Sequence, residues 1–301
     1  MAAYLNYTKF ILVFVFAIIL AGGVVRTTQS GMGCPDWPTC FGMWVPPTSA
    51  DQLPPDYEKY LGLQDIDHSF NAVHTWTEYI NRLLSALIGI FILVHAIWSW
   101  RKFRKTDKTV LRLSLLMLII TIIEAWLGKE VVNTNLEVLK ITVHMLGALV
   151  MAVIPLLIIN RLQGAGKIND SFLKNMLSAS LAVILAQIFF GTEVREQVDV
   201  ISKSLQYSQR ELWLAKTDYF FDVHKTTSIA AAFLCVIVFW RSLSYASLLR
   251  NGLFILLSLL LIMALGIIMA YINIPAYAQP LHLLFSSILF VSLFAMRIRL
   301  T

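Results

Sequence analysis

Residues 10–26 read FILVFVFAIILAGGVVR, an apolar run that closes on Gly22, Gly23, Val24, Val25 and Arg26. A second run closes on Gly191, Thr192, Glu193, Val194 and Arg195. Both endings read Gly-x-x-Val-Arg, and each leads into a long connection. The match extends outward from there. After the first connection comes Glu78-Tyr79-Ile80-Asn81-Arg82, and after the second Phe221-Asp222-Val223-His224-Lys225, which sets Asn81 on His224 and Arg82 on Lys225. Further on, Leu127-Gly128 and Leu265-Gly266 are each trailed by a short connection and a helix with an early histidine, His144 and His282. One such match arises readily by chance; three in the same order do not. The repeat runs parallel, which predicts two halves related by an axis along the membrane normal, spanning 1–165 and 166–301.

The halves are membrane-embedded on composition alone. With 58% of its 301 residues hydrophobic and only 14% charged, the chain carries more apolar surface than a soluble domain of that length can bury. Apolar stretches of about twenty residues fall at about 9–29, 74–100, 110–133, 138–160, 173–195, 218–241, 251–273 and 279–298. The expectation is therefore an all-α polytopic membrane protein, eight transmembrane helices arranged as two pseudo-symmetric four-helix bundles. The first span is expected to be retained, since no small-x-small cleavage pattern and soluble domain follow it.

Lysine and arginine gather on one side: Arg101 to Arg112 after the second span, Arg161 to Lys174 after the fourth, Arg241 and Arg250 after the sixth, and Arg297 and Arg299 at the tail. The positive-inside rule makes that side cytoplasmic and puts both termini there. The net charge of +6 then reflects topology, and nucleic acid is not needed to explain it. The first outer connection holds Asp51, Asp56, Glu58, Asp65 and Asp67 against one lysine, Lys59. Cys34 and Cys40 also lie there, in a compartment where a disulfide can persist, on a Pro-containing loop that can bring them within bridging distance. Cys235, inside a span, reads as a small buried hydrophobe.

Four even-numbered spans present an imidazole or amide near their outer ends: His74 and Asn81, His144, His224 and His282. Haem iron accepts two axial imidazoles, and a helical bundle can supply them from facing helices, as His224 and His282 would here. The bland alternative for a single intramembrane histidine is an inter-helix hydrogen bond. Glu78 is costly to keep in a membrane, so it reads as functional, with an ion pair to Arg82 as the alternative. Arg26 and Arg195, at outer helix ends, stand where they could hold porphyrin propionates, or simply snorkel. His68 reads as a solvated loop residue and His95 as interfacial.

On these residues the sequence resembles the haem A synthase family. The match runs through Gly22 to Arg26, the stretch Ser30-Gly31-Met32-Gly33-Cys34-Pro35-Asp36-Trp37-Pro38-Thr39-Cys40, Glu78 to Arg82, His144, Gly191 to Arg195, His224 and His282. The resemblance implies an oxidoreductase that converts the C8 methyl of haem O to a formyl group for terminal oxidases, in the cell's inner membrane. It implies haem b in the C-terminal half on His224 and His282, and substrate haem O in the N-terminal half facing His144. Glu78 would be the catalytic acid, Cys34 and Cys40 the outer pair, and Arg26, Arg82 and Arg195 would join His74 and Asn81 among the cofactor-binding residues. Its partners would be a haem O synthase as donor, an electron acceptor the sequence does not identify, and lipid; a homo-oligomer is compatible with this reading.

Two departures stand out. The family commonly reads Glu-x-x-His-Arg where this chain has Asn81, so either His74 substitutes or the substrate iron is left open on one face. Some relatives carry a second cysteine pair between spans five and six, and this chain has none there, so packing must hold that loop. The competing reading is a di-haem cytochrome b-like electron carrier that modifies neither haem. A transporter would leave the histidines unexplained.

Overall fold

A computed structural model describes residues 1–61, 70–134, 136–164 and 166–301. His68, Asp65 and Asp67 lie outside the described residues. Helices run in the order α1 (Ala2–Thr27), α2 (Glu58–Leu61), α3 (Ala72–Phe103), α4 (Lys108–Asn133), α5 (Val138–Gln163), α6 (Ser171–Ser204), α7 (Glu211–Ala215), α8 (Tyr219–Ser242), α9 (Leu249–Tyr271) and α10 (Ala278–Arg297). Among the described residues eight of these, all but α2 and α7, are long and apolar enough to cross a bilayer, and the chain is an all-α, multi-pass membrane protein. It divides into two compact units, Met1–Leu162 and Gln163–Thr301.

Polar side chains outside the bilayer start the helices and tie them together. Asn71 Oδ1 accepts from the backbone N–H of Val73 and His74 at the start of α3. Asp107 caps α4 and receives Arg161 from the far end of α5 at 2.9 Å. Asp170 caps α6 through the Leu173 N–H, while its Oδ2 accepts from Arg241 and from the Tyr245 hydroxyl, both at 2.8 Å. Each aspartate thus satisfies orphan donors of one helix while neutralising a basic residue at the end of another.

Within the first unit α1 packs on α3 and α3 on α4 around a buried polar knot. His95, expected at the interface, is instead fully buried. Its Nε2 lies 3.0 Å from Thr8 Oγ1, its Nδ1 lies 2.8 Å from Ser114 Oγ, and the Tyr4 ring stacks on it. A hydroxyl from each flanking helix makes that burial affordable, which is why the ring faces inward.

The fifth span also differs from expectation. The helix does not stop at Arg195 but continues to Ser204. Residues 196–204 remain amphipathic: Val198 is buried with Trp213 and Ile274, and Ile201 and Leu205 pack beside them. The Trp213 indole donates to the Ser208 carbonyl at 2.9 Å, and Gln197 accepts the Asp218 N–H at 3.0 Å. This connection is held by an aromatic plug and hydrogen bonds.

Burial alone would raise the Asp170 carboxyl, but the Leu173 N–H, the Tyr245 hydroxyl and Arg241 together hold it below the ordinary carboxylate value. A depressed folded-state value contributes stability above the unfolded pKa of about 4, lost as pH falls through the folded one. Asp170→Ala should destabilise the protein by about 1–2 kcal/mol at neutral pH. In detergent, the gap in thermal midpoint between wild type and variant should close as pH falls below that range; a constant gap would show that the charge is irrelevant.

Candidate functional site

In the second unit, His224 on α8 and His282 on α10 face each other with ring centroids 6.5 Å apart and planes inclined by 62°. Two metal–nitrogen bonds of about 2 Å each, with half a ring added at either end, need about 6 Å between centroids. The spacing suits one iron between the rings. Both Nδ1 atoms are buried and lack a hydrogen-bond partner among the described residues. The backbone carbonyls of Gln187 and Ile262 approach the two rings without closing a bond of good geometry.

Each of these rings lies against a glycine of a neighbouring helix. A Cβ at Gly191 on α6 would stand 3.2 Å from His224 Cε1, and one at Gly266 on α9 would stand 3.6 Å from His282 Cε1. The same device recurs in the first unit, where a Cβ at Gly128 on α4 would lie 3.7 Å from His144 Cε1. Gln187, Ile262 and Glu124 each stand four residues before their glycine, about one helical turn earlier. Glu124 differs from the other two by offering a carboxylate. Its Oε2 is 2.7 Å from His144 Nδ1, within hydrogen-bond distance but off the bond direction. Metal-ligating histidines commonly turn their second nitrogen to such a carboxylate, which orients the ring.

Sequence reasoning missed Glu124. The available signal was a lone acid inside an apolar run, one turn from a glycine of the repeat.

The fourth member of the pattern lacks its ring. A Cβ at Gly22 on α1 would meet nothing within 4 Å. Across from α1, Asn81 on α3 has a buried Oδ1 without a hydrogen-bond partner among the described residues. Beside it opens a cleft of about 350 Å³ lined by Ala17, Leu20, Ala21, Val24, Thr77, Ile80 and Asn81.

Glu78 is buried and bound to Arg82, whose Nε donates to Glu78 Oε1 at 2.9 Å. The ion-pair alternative is therefore present in the structure. The rest of the Arg82 guanidinium donates to the carbonyls of Asp36 at 2.6 Å, Thr39 at 3.2 Å and Cys34 at 2.7 Å. Arg82 was expected among the cofactor-binding residues, but these bonds to the outer loop use most of its donors and leave little for a propionate. It latches the loop to α3.

That loop is a compact cap. Cys34 and Cys40 form a disulfide and are buried with Phe41 against Leu53, Tyr60, Phe70 and Tyr79. Asp36 accepts the Phe41 and Gly42 N–H groups and the Thr39 hydroxyl. A Cβ at Gly33 would collide with the backbone at His74 and Thr75, so the loop can lie directly on the start of α3 only because that residue is glycine. His74 therefore sits at the level of the loop, about 10.5 Å along the helix from Asn81.

Arg26 occupies the last turn of α1. Arg195, expected at a helix end, lies well inside α6 because that helix overruns, and its guanidinium meets Asp199 Oδ1 at 2.6 Å. Cys235 is buried and free, as expected. Among the described residues no group of three or more His, Cys, Asp or Glu is placed to hold a bare metal ion. The histidine donors come as a facing pair and one carboxylate-backed single, which fits the two axial positions of a haem better than a protein-only metal cage.

Residues 6–294 match the profile of the family described as cytochrome oxidase assembly protein, COX15-CtaA. Among curated proteins, the chain is 27% identical over 184 residues to a protein named heme A synthase from Shewanella oneidensis, covering 60% of this chain and 53% of that relative. It is 33% identical over 117 residues to one of the same name from Bartonella quintana, 36% of this chain and 32% of the relative. A third, from Halalkalibacterium halodurans, is 29% identical over 112 residues, 37% and 30% of the two chains. The chain thus spans about half the length, or less, of these relatives.

The loop latch can be tested directly. Arg82→Gln should leave three loop carbonyls without their donor, and Cys34 and Cys40 should then be reduced by dithiothreitol and alkylated several-fold faster than in wild type. Equal rates would show that the guanidinium does not hold the loop.

Proposed function

The chain belongs to the cytochrome oxidase assembly protein family, and on that premise we propose that it is a haem A synthase, oxidising the C8 methyl of haem O to a formyl group. The observation that carries the reading is the His224–His282 pair, two inward-facing imidazoles at the separation a single iron requires. In this reading 166–301 holds a resident haem b on those two histidines, and 1–165 holds the substrate haem O with His144 toward its iron. Bound haem supplies the redox chemistry that a set of helices lacks.

The chain's own residues do the rest. Gly191 leaves room for the His224 ring, and Gln187, through its amide to the His224 carbonyl at 3.2 Å and to the Thr227 hydroxyl, fixes the helix turn that carries His224. Glu124 orients His144 in the first unit. Glu78, held by Arg82 beneath the disulfide cap, is the acid positioned to accept or return a proton as the methyl group is oxidised. Arg26 and Arg195 are assigned to the propionates, and His74 and Asn81 to the walls of the substrate pocket. A substrate with a long apolar tail can enter from the bilayer without crossing water. The donor is then a membrane haem O synthase, and electrons leave to a separate acceptor.

The charge pattern supports placement in the inner membrane with both termini cytoplasmic. The Met1 amine lies beside Lys102, and Thr301 pairs with Ile168 at the basic end of α6, so each terminus shares an end of its unit with a basic connection.

Two outcomes follow. Glu78→Gln, co-expressed with a haem O source, should lower the haem A recovered by chromatography by about two orders of magnitude or more while the resident haem stays bound; undiminished product would remove Glu78 from catalysis. His224→Ala or His282→Ala should abolish the low-spin spectrum of the resident haem, and a spectrum surviving in both would overturn the ligand pair. Wild-type protein that binds two haems and modifies neither would favour the electron carrier instead.

A further inference from the structure

The two units differ at one corner of the glycine–imidazole pattern. In the register that sets Gly22 on Gly191 and Asn81 on His224, Leu20, Ala21 and Thr77 correspond to Phe189, Phe190 and Phe220. In the second unit these three phenylalanines cluster, with Phe189 47% exposed: Phe190 lies 5.8 Å from Phe189 and 6.4 Å from Phe220, centroid to centroid. In the first unit smaller side chains leave the cleft of about 350 Å³ beside Asn81. Three features that the sequence varies separately thus change together: the imidazole is gone, its glycine faces open space, and the aromatic cluster gives way to smaller side chains.

The remaining polar atom points the same way. Asn81 Oδ1 is buried without a partner among the described residues, and an unsatisfied amide in a membrane-spanning helix is costly. The side chain is shorter than an imidazole and a poor iron ligand, yet its NH₂ can donate to a molecule seated between it and an iron. In the same unit, at the position the repeat matches to His282, His144 is backed by Glu124, as metal-ligating histidines commonly are. The walls of the cleft are mostly apolar, with Val24 and Ile80 exposed at 38% and 49%. A small neutral molecule dissolved in lipid can therefore reach Asn81 without crossing a charged barrier.

We propose that the α1–α3 cleft at Asn81 is a binding site for a small neutral diatomic ligand of the dioxygen class, taken as the sixth ligand of a haem iron held on its other face by His144. The proposal rests on the haem-binding reading above and adds to it which face of that iron is open and what occupies it. Asn81 is the hydrogen-bond donor to the ligand. Gly22, Ala21 and Thr77 keep the space for it, and His74, at the level of the disulfide cap, is not the missing axial group.

Carbon monoxide is the probe. Detergent-purified full-length protein, co-expressed with a haem O source and reduced, should bind CO at about one of every two haem irons, the one not held by two imidazoles. Asn81→His, which restores the ring that the register calls for, should convert that haem to a six-coordinate low-spin form and lower CO binding at least tenfold. Ala21→Phe, which restores one ring of the aromatic cluster without touching either axial position, should slow CO binding at least tenfold while the haem spectrum before CO stays unchanged. Two haems per chain that are both low-spin and inert to CO in the wild type would overturn the proposal and leave the haem reading intact. Absence of a second haem would overturn both. Should Asn81→His fail to accumulate, Ala21→Phe decides alone, and an unaltered CO rate in it would show that the cleft is not the route.

Discussion

A helix in a bilayer satisfies its own backbone, so any polar side chain it turns inward must find a partner from another helix or from a ligand. The architecture depends on how that demand is met at Gly128, Gly191 and Gly266. At Gly191 a Cβ would press on the His224 ring at 3.2 Å, while at Gly128 and Gly266 it would stand in ordinary contact, 3.7 and 3.6 Å from the imidazole, so each ring lies directly on a glycine of a neighbouring helix. At His224 and His282 the Nδ1 atoms have no hydrogen-bond partner among the described residues, although the backbone carbonyls of Gln187 and Ile262 approach the rings. The two rings, 6.5 Å apart, have the spacing that the proposed single iron between them would need.

The same plan is used differently in the two units. In the second, the rings are matched, backed only by approaching backbone carbonyls, and the outer connection is closed by Trp213 and its neighbours. In the first, a carboxylate stands behind His144, an amide replaces the other ring, and the outer connection is a disulfide-closed cap pinned by Arg82. A symmetric pair of strong ligands suits an iron that only exchanges electrons. An uneven pair beside an acid suits an iron whose porphyrin is to be changed.

The spans were legible because long apolar runs interrupted by basic clusters admit few alternatives; apart from the start of the first span, at Ala2 and not near 9, and the end of the fifth, every boundary fell within a few residues of the expected one. The overrun of α6 was hidden because residues 196–204 are too polar for a span; only Val198 and Ile201, meeting Trp213, reveal the continuing helix. Histidine positions were legible through the repeat. Their partners were not: Glu124 lies 20 residues from His144 in sequence, His95 meets Thr8 across 87 residues, and Arg82 reaches Cys34 across 48. Periodicity reports which face a residue occupies, whereas these contacts depend on which helix lies opposite.

The central claim is that His224 and His282 bracket one iron. Electron–nuclear double resonance on the oxidised protein, labelled with ¹⁵N only in histidine, reads this directly. The account predicts a low-spin iron coupled to two labelled axial imidazole nitrogens, with one of the pair lost in each single alanine variant. An iron coupled to one labelled nitrogen, or two couplings that persist in both variants, would contradict it.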